Sequence, residues 1–208
     1  MGVASLIVKT PARLNEAALT WGSTAEERAR RYPCDELIPD PHVTCWRAID
    51  VDAAPDVLYR WLCQLRAAPY SYDWLDNLGR RSPTTLTPGL DALEVGQRFM
   101  TIFDLVSYEP GAAVTLRTRA SKPLLGDVAL TYSVAGRPGG SRLVCKVLVV
   151  APAGPIGWAW RRVAALGDLV MMRKQFLTLK RLAERGGRPD VASRSWQTPR
   201  TSLLPRPR

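Results

Sequence analysis

The chain has one histidine, His42, in 208 residues, and four cysteines, Cys34, Cys45, Cys63 and Cys145, with no CxxC pair among them. So thin a supply of imidazole and paired thiolate argues against a zinc site and against a Cys/His nucleophile. Cysteines scattered singly read as small apolar core residues, and a reducing, cytoplasmic setting follows. Lysine is scarce too, 5 residues against 24 arginines, a bias that a GC-rich genome produces without any phosphate to recognise. No apolar run approaches the ~20 residues that a bilayer span requires. The opening MGVASLIVKT has too short an apolar run, with no basic residue ahead of it, for a secretory signal, and its Ser5 falls one place short of the myristoylation pattern.

What remains is an ordinary globular composition, 46% hydrophobic and 23% charged, in a chain long enough to bury one core and carry tails. The net charge of +10 is unevenly placed. Residues 156–185 hold 7 basic and 2 acidic groups and residues 186–208 hold 5 and 1, so the body before them is close to neutral. The basic excess therefore belongs to one helix and one tail.

Three zones follow. Residues 1–44 form an N-terminal helical extension and connector. In STAEERARRY both Ser23 with Glu26 and Thr24 with Glu27 fit a capping box, Pro33 stops the helix, and CDELIPDPHV reads as an extended connector. Residues 45–187 are the folded domain. TCWRAIDV is strand-like, Pro55 opens a helix, and Val57, Leu58, Trp61, Leu62 and Leu65 share one face of it. The stretch APYSYDWLDNLGRRSP reads as a short helix, capped by Ser71 and stopped by Gly79, with Trp74 on its buried side and Tyr70 as a hydrophobic staple. Strands follow over GQRFMTIFDLVSYEP, AVTLRTR, DVALTYSVAG and SRLVCKVLVVAP, the last two joined by the turn signal RPGG. Val114, Leu116 and Thr118 alternate with Thr115, Arg117 and Arg119, the pattern of a half-buried antiparallel strand. A long helix over about 156–185 shows two apolar stripes, Val163, Leu166, Val170 and Leu177 beside Leu169, Met172, Phe176 and Leu179. Residues 188–208 are aperiodic and rich in Pro, Ser and Arg, and read as a disordered basic tail. Strands gathered between helices imply an α+β fold whose long C-terminal helix covers a curved antiparallel sheet.

RAIDVDAAPDVLYRWLCQL resembles the opening strand and helix of the START-like, helix-grip superfamily, also called SRPBCC or polyketide cyclase/dehydrase-like, where the strand runs into an Ala-Pro helix start. YSYDWLDNLGRRSP and GDLVMMRKQFLTLKRLAER resemble a bacterial branch of it, and the likeness covers roughly residues 20–187. The resemblance implies a sheet wrapped around the long helix, two short helices after the first strand, and a mostly apolar cavity. Members bind lipids, sterols, polyketides or plant metabolites, and some cyclise or dehydrate polyketides. This chain departs from many relatives in having RAAPYSYDW where a Gly-rich, Trp-bearing turn is common.

The expectation is a cytoplasmic protein that binds a hydrophobic small molecule, without metal or organic cofactor. Expected lining residues are Phe103, Leu116, Leu130 and Tyr132 from the strands, with Leu105 beside them, and Val170, Phe176 and Leu177 from the long helix. Tyr70 and Trp74 are placed at the entrance, and Arg98, at the start of a strand, is a further candidate. The alternative is a cyclase or dehydratase using Tyr70, Tyr72, Asp73 or Arg98, but no recognisable catalytic constellation stands out, so no catalytic residue is assigned. A third reading is weak contact with an anionic membrane through the basic helix and tail, for which Trp158, Trp160 and Trp196 are suitably placed. Nucleic-acid binding is disfavoured, because basic outer faces are usually just solvated.

Overall fold

The computed structural model describes residues 16, 18–72, 79, 81–119, 126–152 and 154–186, with side chains on the last helix from residue 167 onward. The body begins with two short helices, α1 (Ala25–Ala29) and α2 (Cys34–Leu37), before strand β1 (Val43–Val51). Of the two capping boxes open to the sequence, Thr24 with Glu27 is the one formed. The Glu27 backbone N donates to Thr24 Oγ1 at 3.2 Å, and Thr24 N donates to Glu27 Oε2 at 2.8 Å. CDEL is helical rather than extended, because the Asp35 carboxylate accepts from Tyr32 N at 2.8 Å and so closes the turn.

After β1 come helix α3 (Pro55–Cys63) and a 3-10 turn (Gln64–Arg66), then β2 (Arg98–Phe99), β3 (Phe103–Glu109), β4 (Ala113–Thr118), β5 (Asp127–Arg137) and β6 (Gly140–Val150). Pro55 occupies the first turn of α3, where its missing N–H costs nothing, and Leu58, Trp61 and Leu62 are buried as their spacing requires. The second short helix expected from the sequence falls on residues 73–78, outside the described residues. The six strands form one antiparallel sheet in the order β1-β6-β5-β4-β3-β2, so β1 and β2 are its edges. Between β5 and β6, Arg137 pairs with Gly140, leaving Pro138 and Gly139 as the two central turn residues, the latter at φ 77°.

Helix α4 (Gly154–Gly186), 33 residues and about 50 Å long at 1.5 Å per residue, lies along the inner face of the sheet. Met172, Phe176, Leu179, Leu182 and Ala183 are buried there with Cys45, Leu116, Leu130, Tyr132, Cys145 and Val147 from the strands. This is the helix-grip arrangement: one long C-terminal helix held by an antiparallel sheet.

The opposite face of the sheet corrects one expectation. Thr115, on the parity expected to meet water, and Thr131, its partner on β5, are each 1% exposed, and Ala129 is fully buried. The N-terminal segment covers them. Tyr32, Cys34 and Ile38 pack against Ala48, Ala129, Val144 and Leu148, and Cys34 N donates to Thr131 Oγ1 at 3.1 Å. Thr131 Oγ1 in turn shares a 3.0 Å hydrogen bond with Thr115 Oγ1, so the buried hydroxyls are satisfied. The same segment covers the edge of β1, where Ala48 N donates to Trp21 O at 3.0 Å. Gly22, at φ 73°, follows at that edge. A Cβ there would lie 2.1 Å from Ala48 O, so only glycine allows so close an approach.

Candidate functional site

A partly open cavity of about 370 Å³ lies between the inner face of the sheet and the middle of α4. Its walls are mostly apolar: Ile102, Phe103, Val128, Leu130, Val147 and Val149 from the sheet side, Met171 and Met172 from the helix, and Met100 from the β2–β3 turn. Volume and lining are those of a small-molecule site.

Few polar groups break the apolar surface. Tyr132, fully buried on β5, donates from Oη to Gln175 Oε1 of α4 at 2.6 Å. Gln175 Nε2 donates to Pro69 O at 2.7 Å and lies 3.2 Å from Met100 Sδ. Because Pro69 O can only accept, the amide orientation is fixed, and with it the direction of the Tyr132 hydrogen bond. Burial pushes the Tyr132 phenol well above its ordinary range, so it stays protonated and continues to donate. One glutamine thus ties α4 to β5, to the 67–72 segment and to the β2–β3 turn.

The second polar element is an ion pair. Arg47 sits on β1 with the parity of Cys45, Ile49 and Val51, facing the helix, and is 0% exposed. Its Nη2 lies 2.6 Å from Asp168 Oδ2 of α4, and its Nη1 donates to Trp46 O at 2.8 Å. Asp168 lines the cavity and keeps 24% of its side chain exposed. Burial pushes its carboxyl up from the ordinary value, and the Arg47 guanidinium opposes that shift. The thiols nearby are inert: burial pushes Cys45 up to about 12 and Cys145 well above its usual value, so neither supplies a thiolate nucleophile near neutral pH.

Among the described residues, three non-glycine residues adopt left-handed backbone, Tyr70 (φ 56°), Met100 (φ 45°) and Thr101 (φ 61°). All stand at this rim: Pro69 and Ser71 flank Tyr70 and line the cavity, as does Met100. Conformations of this kind cost of order 1–3 kcal/mol each and persist where the surroundings impose them, commonly at ligand clamps. Met100 N donates to Leu65 O at 2.9 Å, and the Tyr70 ring packs edge-on against Trp61 with centroids 6.2 Å apart.

Of the residues named from sequence, Phe103, Leu130 and Tyr132 line the cavity. Leu116, Leu105 and Phe176 are buried in the surrounding core, with the Phe176 ring 6.1 Å from Tyr132 and 6.2 Å from Trp21. Tyr70 is 1% exposed and turns its ring toward Trp61, so its backbone rather than its ring serves the rim. Three placements are corrected. Val170 and Leu177 are 53% and 41% exposed on the outer face of α4, because the buried face runs through Met172, Phe176 and Leu179 instead. Arg98 is exposed at the start of edge strand β2 and does not reach the cavity. Trp74 and Asp73 lie outside the described residues, as does the 188–208 tail. His42 is structural, its Nδ1 accepting from Ala151 N at 3.0 Å.

Sequence reasoning missed Arg47, Asp168 and Gln175. Arg47 carried a signal, a charge on the apolar parity of a strand. Asp168 and Gln175, seven residues apart, carried another, since that spacing places them on one face of the helix. Among the described residues, no cluster of His, Cys, Asp and Glu could hold a metal ion.

No family model matches the chain, and no curated protein matches it. Solved structures do align with it. A crystal structure from Mesorhizobium loti is 18% identical, with a TM-score of 0.44, over 68% of this chain and 97% of that one. One from Chromobacterium violaceum is 17% identical, with a TM-score of 0.44, over 71% and 98%. The di-domain ARO/CYC StfQ from the steffimycin biosynthetic pathway is 16% identical, with a TM-score of 0.47, over 73% of this chain and 54% of its own. Likenesses this distant bear on fold at most, and the functional reading rests on the cavity.

Proposed function

We propose that the protein binds an apolar small molecule in the cavity between α4 and the sheet. The observation that carries this is the cavity itself: about 370 Å³, walled by aliphatic, Phe and Met side chains, with polar groups at only a few points. An unfilled space of that size in a core costs stability, and a ligand that fills it recovers dispersion contacts. A thermal-shift screen of apolar metabolites, followed by native mass spectrometry, tests the proposal, because a ligand that binds only the folded state raises Tm by mass action. A Leu130→Trp variant, which fills the space, is expected to lose the response. A wild-type protein that responds to no apolar compound would overturn the reading. Less supports a cyclase or dehydratase. Of the groups considered for that chemistry, Arg98 is exposed, Tyr70 is turned toward Trp61 and Tyr72 does not line the cavity.

One observation favours a second, compatible activity. The outer face of α4 exposes Val170 and Leu177 among Arg173, Lys174, Arg181 and Arg185, a mixed apolar and cationic stripe suited to an anionic membrane surface. Among the described residues, no helix is long and apolar enough to cross a membrane. Salt-sensitive co-sedimentation with phosphatidylserine vesicles, lost in an Arg173→Glu/Arg181→Glu variant, is the expected result.

A further inference from the structure

The polar groups of the cavity are unequally engaged, and the inequality bears on what the ligand must carry. This inference rests on the small-molecule reading above. Tyr132 spends its proton on Gln175, and Gln175 spends its amide on Pro69 O and Met100 Sδ. Thr118 Oγ1 accepts from Val128 N at 2.9 Å, and Ser71 at the rim is itself engaged. Asp168 differs. A carboxylate offers about four lone-pair sites, and among the described residues its one ion-pair partner is Arg47, which reaches Oδ2. Oδ2 is buried, so the exposed 24% of the side chain falls on its other atoms, and Asp168 is among the residues that line the cavity. Arg47 is 0% exposed and stands behind that carboxylate, so the cavity meets an acceptor rather than a cation.

We infer that the ligand is an apolar molecule bearing a hydrogen-bond donor, a hydroxyl or an amine, which it presents to Asp168, and that the matching carboxylate is discriminated against. A donor there completes a charge-assisted hydrogen bond in a low-dielectric setting, where such bonds are strongest. A carboxylate would bring like charge to the same point, and an ester would leave the acceptor unmatched. The rest of the wall supplies apolar contact and does not discriminate among head groups.

Titration of the full chain followed by amide NMR, with 1-octanol, octylamine, methyl octanoate and sodium octanoate at pH 7.5, tests this. The four probes share similar chain lengths and differ at the head. The expected result is that the alcohol or the amine binds at least tenfold more tightly than both the ester and the carboxylate. In Arg47→Leu/Asp168→Leu, where the pair is replaced by apolar groups, that preference should shrink to under twofold while ester binding persists. Asp168→Asn supplies a milder check if the double variant does not fold, with the alcohol preference falling severalfold. Equal binding of all four heads would overturn the inference and leave the cavity reading standing. Tightest binding of octanoate would also overturn it, since Arg47 would then be the anchor. Failure of every probe to bind would count against both.

Discussion

At the scale of single residues, the Arg47–Asp168 pair is the most consequential contact, and its two halves are not equivalent. Arg47 is 0% exposed whereas Asp168 keeps 24% of its side chain open. Removing the carboxylate strands a fully buried guanidinium, so Asp168→Leu is expected to cost about 3–5 kcal/mol. Removing the guanidinium leaves a carboxylate that water can reach, so Arg47→Leu should cost less. The double substitution should lie near wild type, because replacing a buried pair by apolar groups is often neutral or better. Urea denaturation of the three variants gives the ordering, and equal costs for the two single variants would show that the pair is not buried asymmetrically. Tyr132→Phe probes the other polar contact: it leaves Gln175 Oε1 without its donor at a cost of about 1–3 kcal/mol, read from the same curves.

At the scale of elements, the N-terminal extension acts as the outer cover of the sheet. Its docking rests on α1 and α2: Glu27 receives Arg142 Nε at 2.8 Å and Nη2 at 2.9 Å, and Tyr32 Oη donates to Glu27 O at 3.0 Å. Thr24→Ala should therefore cost about 1 kcal/mol through the lost cap. Ala129→Glu, which buries a carboxylate beneath α2, should release the extension; limited proteolysis should then cut between residues 25 and 40 well below the global unfolding temperature. An unchanged digestion pattern would mean that the cover is not held there. This cover was the least legible part of the fold. The strands β1 and β4 to β6, the RPGG turn, the Thr24 cap and the extent of the long helix could be read because each depends on neighbours a few residues away. GQRFMTIFDLVSYEP, read as one strand, is instead broken into β2 and β3 by the left-handed Met100 and Thr101. The burial of Thr131 depends on Cys34, 97 residues distant, and no local pattern announces it. The inner face of α4 was misread for a related reason. Val170 and Leu177 are apolar yet point outward, while the polar Asp168 and Gln175 point inward, because their partners Arg47 and Tyr132 lie on remote strands. Hydrophobic periodicity cannot see a polar residue whose partner supplies the reason for its burial.

At the scale of the whole molecule, the pattern of buried acids sets how stability depends on pH. Cys34, Cys45, Cys63 and Cys145 are all buried, and burial raises each thiol, Cys45 and Cys63 from 9.0 to about 12. Tyr32, Tyr59 and Tyr132 are raised by burial as well. For a raised acid, the unfolded chain releases its proton first, so folding stability is unaffected below the ordinary pKa and is lost as pH climbs from there toward the folded value. Seven groups share that sign, the four thiols with windows opening from pH 9.0 and the three phenols from pH 10.0. The acid side is more balanced. Glu27, lowered chiefly by its hydrogen bond from Arg142, contributes stability that is lost as pH falls below 4.5, whereas Asp168, raised by burial, shifts stability the opposite way over its own window. The expected profile is a Tm nearly flat between pH 6 and 8.5 that falls steeply from pH 9 to 11. Over that interval, reaction of the thiols with an aromatic disulfide reagent should follow global unfolding rather than precede it. Rapid modification of all four cysteines at pH 8 in the folded protein, or a Tm that holds to pH 11, would contradict the burial on which this profile depends.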